Sequence, residues 1–251
     1  MTHRGRYIVS FLFRIALVVV ALLLSARAIY VAEGGVKAWF LAGLFGLSAA
    51  LLQIRPFLVP HPGRGSVSYT PGVAFFLAAL FLVPAGPLVT AISFSIALSG
   101  LVCAVRPHKI LLQLSTAVLA YGSCSFFLKL GARDASPPIP SLELVLVELL
   151  VAVTVLTAQL VLRSLAIRLE RGEETPHWGA FQPQALTEAA YGLALSVPIS
   201  VLTRIHPALL AIVYLHVGLT WWFLERYRKH VRLLAHEAGA SAGEAEGRWV
   251  A

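Results

Sequence analysis

The chain has 251 residues, of which 58% are hydrophobic and only 13% charged, with a mean hydropathy of +0.80 and an isoelectric point near 9.9. A soluble domain keeps about 25% charged residues, so this composition argues against a water-soluble globule and predicts an all-α, polytopic transmembrane helical bundle. The net charge of +8 falls mostly at the ends of apolar runs, where it serves topology; the lipid bilayer is the expected partner and nucleic acid is not.

A spanning helix needs about 20 predominantly apolar residues, and eight segments are read on that rule. The first, Tyr7–Ile29, follows His3, Arg4 and Arg6. It is too long for a signal peptide and lacks a small-residue cleavage site after it. Arg14 within it is expected to snorkel to the near surface. The second, Val36–Ile54, is followed by Arg55 and Arg64. The linking stretch RPFLVPHPGRGSVSYT, with Pro56, Pro60 and Pro62, is expected to be a stiff polar loop.

The centre of the chain is Ser66–Arg106. A polar strip, SVSYT, leads into an apolar run from Pro71 to Val83, a break at Pro84-Ala85-Gly86-Pro87, and a second run from Leu88 to Val105. In water so much apolar surface would aggregate, so the pair reads as a hairpin in the bilayer and supplies spans three and four. The third is the shortest, with about 13 fully apolar residues against the ~20 that a bilayer needs. Ala91, Ser95, Ser99 and Cys103 recur every fourth residue in the fourth span, a small-residue stripe that lets a neighbouring helix approach closely. Cys103 and Cys124 read as packing residues, not as a disulfide or metal pair.

The fifth span is Ile110–Leu130. The sixth, Leu142–Leu165, ends in Arg163, Arg168 and Arg171. The seventh, Leu186–Leu202, has Glu188 near its start and Pro198 inside it. The eighth, Pro207–Leu224, closes on Trp221 and Trp222, then Arg226, Arg228, Lys229 and Arg232. With both termini in the cytoplasm, about fourteen of the 20 Lys and Arg lie inside and about five outside, as the positive-inside bias requires. The expected organisation is a bundle over 1–225, a cytoplasmic exit helix over 226–238 and a disordered tail over 239–251. Leu224, Tyr227, Val231, Leu234 and Ala238 alternate three and four apart, the spacing of a coiled-coil seam. Leu224, Tyr227, Val231 and Leu234 are therefore the expected coupling residues, toward a cytoplasmic signalling partner or a second copy of the chain.

Ionisable groups within a span cost several kcal/mol unless paired or hydrated. Glu148 lies about two turns into the sixth span and could bind a cation, carry a proton or hydrogen-bond a polar partner. His216 lies within the eighth span with no second histidine four residues away, so a hydrogen bond is expected there before a metal. Glu148 and His216, with Ser95 and Ser99, are the candidate ligand-binding residues. No Gly-x-Ser-x-Gly elbow, His-Glu-x-x-His pair or phosphate loop occurs, so no catalytic residue, metal or cofactor is expected.

Several stretches in order carry a resemblance: SVSY, the break LVPAGPL, the basic Arg106-Pro107-His108-Lys109, the long LVLRSLAIRLERGEE, then HPALLAIVYLH and WWFLERYRKHVRLLAHEA. From about Ser66 to Glu237 the chain resembles the multi-span N-terminal membrane sensor module found ahead of bacterial cyclic-di-GMP enzymes (GGDEF or HD-GYP outputs) and some histidine kinases. The resemblance implies a bacterial plasma-membrane protein whose exit helix couples a bundle to a cytoplasmic output. No GGDEF, HD dyad or kinase histidine box occurs in these residues, so the expectation is a sensor-like module without its own output domain. The alternative is a small secondary transporter or permease subunit with Glu148 near the substrate or ion path, because buried carboxylates and broken helices are what transporters use.

Overall fold

In lipid, each backbone N–H and C=O must be satisfied within its own segment, so apolar runs of this length become helices. The computed structural model describes residues 3–31, 35–61, 65–131, 142–171 and 183–247. They form eight helices: α1 (His3–Tyr30), α2 (Val36–Ile54), α3 (Gly72–Leu82), α4 (Ala85–Val102), α5 (Pro107–Gly131), α6 (Leu142–Arg171), α7 (Pro183–Ile205) and α8 (Leu210–Gly247). The eight expected spans correspond in order to these helices. Among the described residues, five helices are long and apolar enough to cross a membrane, within α1, α2, α4, α6 and α8, which marks the chain as a membrane protein. The apolar part of α7 is shorter, Ala189–Ile205, and α3 is shorter still.

α3 spans about 16 Å at 1.5 Å per residue, roughly half of a ~30 Å hydrocarbon core. It does not meet that core alone. Gly72 and every residue from Ala74 to Leu80 are buried, so α3 is enclosed by its neighbours. A helix apolar all round belongs in such a position. Its first residue packs against Ala49, about one turn short of the end of α2, while Phe75 meets Phe45 of α2. α3 therefore runs antiparallel to α2 and recessed from its end.

The other contacts fix the remaining senses. Gly46 lies against Ala91 and Gln53 bonds Ser99, so α2 and α4 are parallel. Leu24 meets Gly122 and Arg27 lies over the Phe126 ring, so α1 and α5 are parallel. Between α4 and α5 the chain turns through Ala104, at φ 51°. The Val105 N–H reaches back to the Gly100 carbonyl at 2.8 Å and the Ala104 N–H to Leu101 at 3.1 Å, a Schellman end with alanine in the left-handed position.

Two parts of the chain differ from expectation. The proline-rich link between α2 and α3 is not a plain polar loop. It holds an antiparallel hairpin, β1 (Phe57–His61) with β2 (Gly65–Tyr69), in register Phe57↔Tyr69 to His61↔Gly65. FLV and SVSY carry strand-forming residues in alternation, and a two-stranded ribbon has free edges that tolerate Pro60. Phe57 is buried, with its ring edge-on to Tyr191 of α7 at 6.3 Å. The second difference is at the C-terminus, where a disordered tail was expected from residue 239. α8 instead continues to Gly247. The segment holds no proline to stop it, and its alanines and glutamates favour helix.

Candidate functional site

Glu148 stands two turns from the start of α6. Across from it, α7 presents Ser196, Ser200 and Arg204 at every fourth position, on one helical face. The Arg204 guanidinium donates through Nη2 to Glu148 Oε1, and the Ser200 hydroxyl donates to Oε2 at 3.3 Å. The side chains retain only 11% and 4% of their exposure, so the ion pair is sealed between two helices. Arg204 Nη1 finds no hydrogen-bond acceptor among the described residues. Opposite ends meet here, the N-terminal turns of α6 and the C-terminal turn of α7, so the two helices are antiparallel.

A carboxylate alone at this depth would be strongly disfavoured, and the arginine is its compensation. Of the three roles open to Glu148 in the sequence, the geometry places it with a polar partner. That partner went unread because the expected seventh span stopped at Leu202, leaving Arg204 beyond it. The four-residue spacing of Ser196, Ser200 and Arg204 was the available signal.

The other candidate residues do not converge on Glu148. Ser95 and Ser99 lie in α4 on the face turned to α2. Ser99 donates to Gln53 Oε1 at 2.6 Å. Ser95 is fully buried, and its hydroxyl has no partner among the described residues. The stripe they share works as helix packing at Ala91, whereas Cys103 at its end is exposed. His216 is exposed on the outer face of α8. Several hydroxyls in the spans, including those of Ser25, Thr90, Ser115, Thr154 and Thr203, bond the carbonyl four residues back, which satisfies them within their own helix.

A second locus joins the core to the exit helix. Tyr214 of α8 stacks on Phe75 of the enclosed α3, with centroids 5.8 Å apart and planes at 15°. It also shares a 2.7 Å hydrogen bond with Ser48 of α2. Ser48 itself donates to the Leu44 carbonyl at 2.7 Å, so the Tyr214 hydroxyl is the donor to Ser48. Along α8, Leu210, Val213 and Val217 are buried and Leu224 packs against the same core cluster. Leu215, Leu219, Trp222 and Phe223 face outward. Of the expected coupling residues, Leu224 and Val231 are half-buried and Tyr227 is 48% exposed; the Leu234 side chain lies outside the described residues. α8 crosses as one unbroken helix from this contact to Gly247.

Comparison of the chain with protein-family models, with curated proteins and with solved structures finds no match.

Proposed function

We propose that the chain is a non-catalytic, integral-membrane, sensor-like module of a bacterial plasma membrane, with both termini in the cytoplasm. It relays a change in helix packing through α8 to a cytoplasmic partner or a second copy. The observation that carries this reading is the continuity of α8. One 38-residue helix, about 57 Å long at 1.5 Å per residue, begins against the enclosed α3 at Tyr214 and extends about 35 Å beyond Leu224. A shift of α3 against α2 moves Phe75 and Ser48, and therefore the top of this lever. The relay needs two packings separated by a few kcal/mol that a stimulus can bias.

Deletion of Tyr227–Ala238 tests it. The shortened chain is expected to insert normally and to lose capture of its partner, or of a differently tagged second copy, from membranes that contain both. Capture at the wild-type level would overturn the relay. The transporter reading draws less support, because Arg204 and Ser200 already occupy the Glu148 oxygens.

A further inference from the structure

We propose that the membrane exit of α8 is a binding surface for anionic phospholipid headgroups, formed by Arg226 and Lys229 beside the Trp221–Trp222 pair. The inference needs only that α8 leaves the lipid there, at whichever face, and it stands or falls apart from the relay reading.

The outward face of α8 is apolar through Leu215, Leu219, Trp222 and Phe223. Exposed tryptophans at the end of such a stretch sit at headgroup level. Arg226 and Lys229 follow Trp222 by four and seven residues, about 6 and 10 Å along the helix. A headgroup layer is roughly 5–8 Å deep on each side, so both cations lie in or just beyond it. The Arg226 guanidinium is already stacked over the Trp222 ring, 5.0 Å from its centroid. That contact holds the charge against the aromatic belt.

The local countercharge is already in use. Glu225 is the sole carboxylate between Trp221 and Val231, and Arg228 donates to it at 2.7 Å. Lys229 Nζ stands 4.0 Å from the same oxygen and is 71% exposed. Three cations therefore face one carboxylate in five residues. The excess points at a layer whose own groups are phosphates. Charge complementarity selects an anionic lipid over a zwitterionic one, and the flanking tryptophans select a lipid over a soluble anion.

Brominated lipids test this in bilayers of the full chain. With W39F, W178F and W249F in place, fluorescence comes from Trp221 and Trp222 alone. Brominated phosphatidylglycerol is expected to quench them in clear preference to brominated phosphatidylcholine. Each cation near an anionic surface corresponds to about a five-fold preference, so the two together set an upper bound of about twenty-five-fold. R226Q/K229Q should bring the preference close to one, and R226K/K229R should keep it. Raising the salt to about 0.5 M should weaken it, since the screening length then falls to a few ångströms. Equal quenching by both lipids in the wild type overturns the proposal. So does a preference that survives R226Q/K229Q or disappears in R226K/K229R.

Discussion

Removing one member of the Glu148–Arg204 pair leaves the other as an uncompensated charge between α6 and α7. For buried pairs that loss is about 3–5 kcal/mol, whereas replacing both partners by apolar residues is far milder. E148Q keeps the shape but gives Arg204 a weaker acceptor, and R204M strands the carboxylate. Each single variant is expected to lower the unfolding midpoint of the detergent-purified chain clearly, and E148L/R204M to lower it less than R204M alone. Losses that simply add would mean that the two charges do not act as a pair. Half of this site was legible in the sequence. A glutamate inside a run of valines and leucines is conspicuous by hydropathy. Arg204 was not, because an arginine at the end of a span reads as a topology charge unless the facing helix is known. The same limit applies to Tyr214. An aromatic near a membrane surface has the same pattern whether it faces lipid or, as here, stacks on Phe75.

At the scale of elements, α2 and α4 pack with their backbones in close approach. A Cβ on Gly46 would come within 2.9 Å of the Ala91 carbonyl oxygen and 3.2 Å of its Cα. Backbone atoms of a helix cannot step aside as a side-chain tip can, so Gly46→Ala must push the two helices apart. The expected loss is about 1–3 kcal/mol, the range for overpacked cores. Gly43, one turn earlier, has open space where its Cβ would stand, and Gly43→Ala should be neutral or slightly stabilising through helix propensity. Unfolding both variants in the same detergent separates a steric contact from a general effect of glycine in α2. The small-residue stripe in α4 pointed to this contact from sequence, and α2 was bounded correctly because apolar runs between charges give helix limits directly. The hairpin between α2 and α3 was not seen, because prolines and glycines signal a turn more strongly than five-residue alternations signal strands. The helical extension of α8 was missed for a related reason. Small residues read as a flexible tail until a preceding helix supplies the nucleus and elongation becomes inexpensive.

For the whole molecule, the contacts make α1 and α5 parallel, α2 and α4 parallel to each other, and α3 opposed to α2. A short α3 could have turned back on itself without crossing, which would reverse every later helix. The parallel pairs argue otherwise: α4 descends beside α2 as it should if α3 ascends between them. The turn from α4 to α5 therefore lies on the same side as the start of α1, which in the proposed topology is the cytoplasmic side favoured by the positive-inside bias. Cys103 stands exposed at this turn, and the other cysteine, Cys124, is half-buried within α5. In a C124S chain, a charged membrane-impermeant maleimide should leave Cys103 unlabelled in intact cells and label it once the membrane is permeabilised. A fusion reporter after Ala251 should give the cytoplasmic result in the same cells, because in the proposed eight-span topology an even number of crossings separates it from Cys103. Labelling of Cys103 from outside would invert the bundle and put Arg106, Lys109 and Arg226 on the wrong face together. A cytoplasmic Cys103 with an external C-terminus would instead mean that α5 to α8 do not all cross. The exit helix would then have no route to a cytoplasmic partner, and the relay would fail with it.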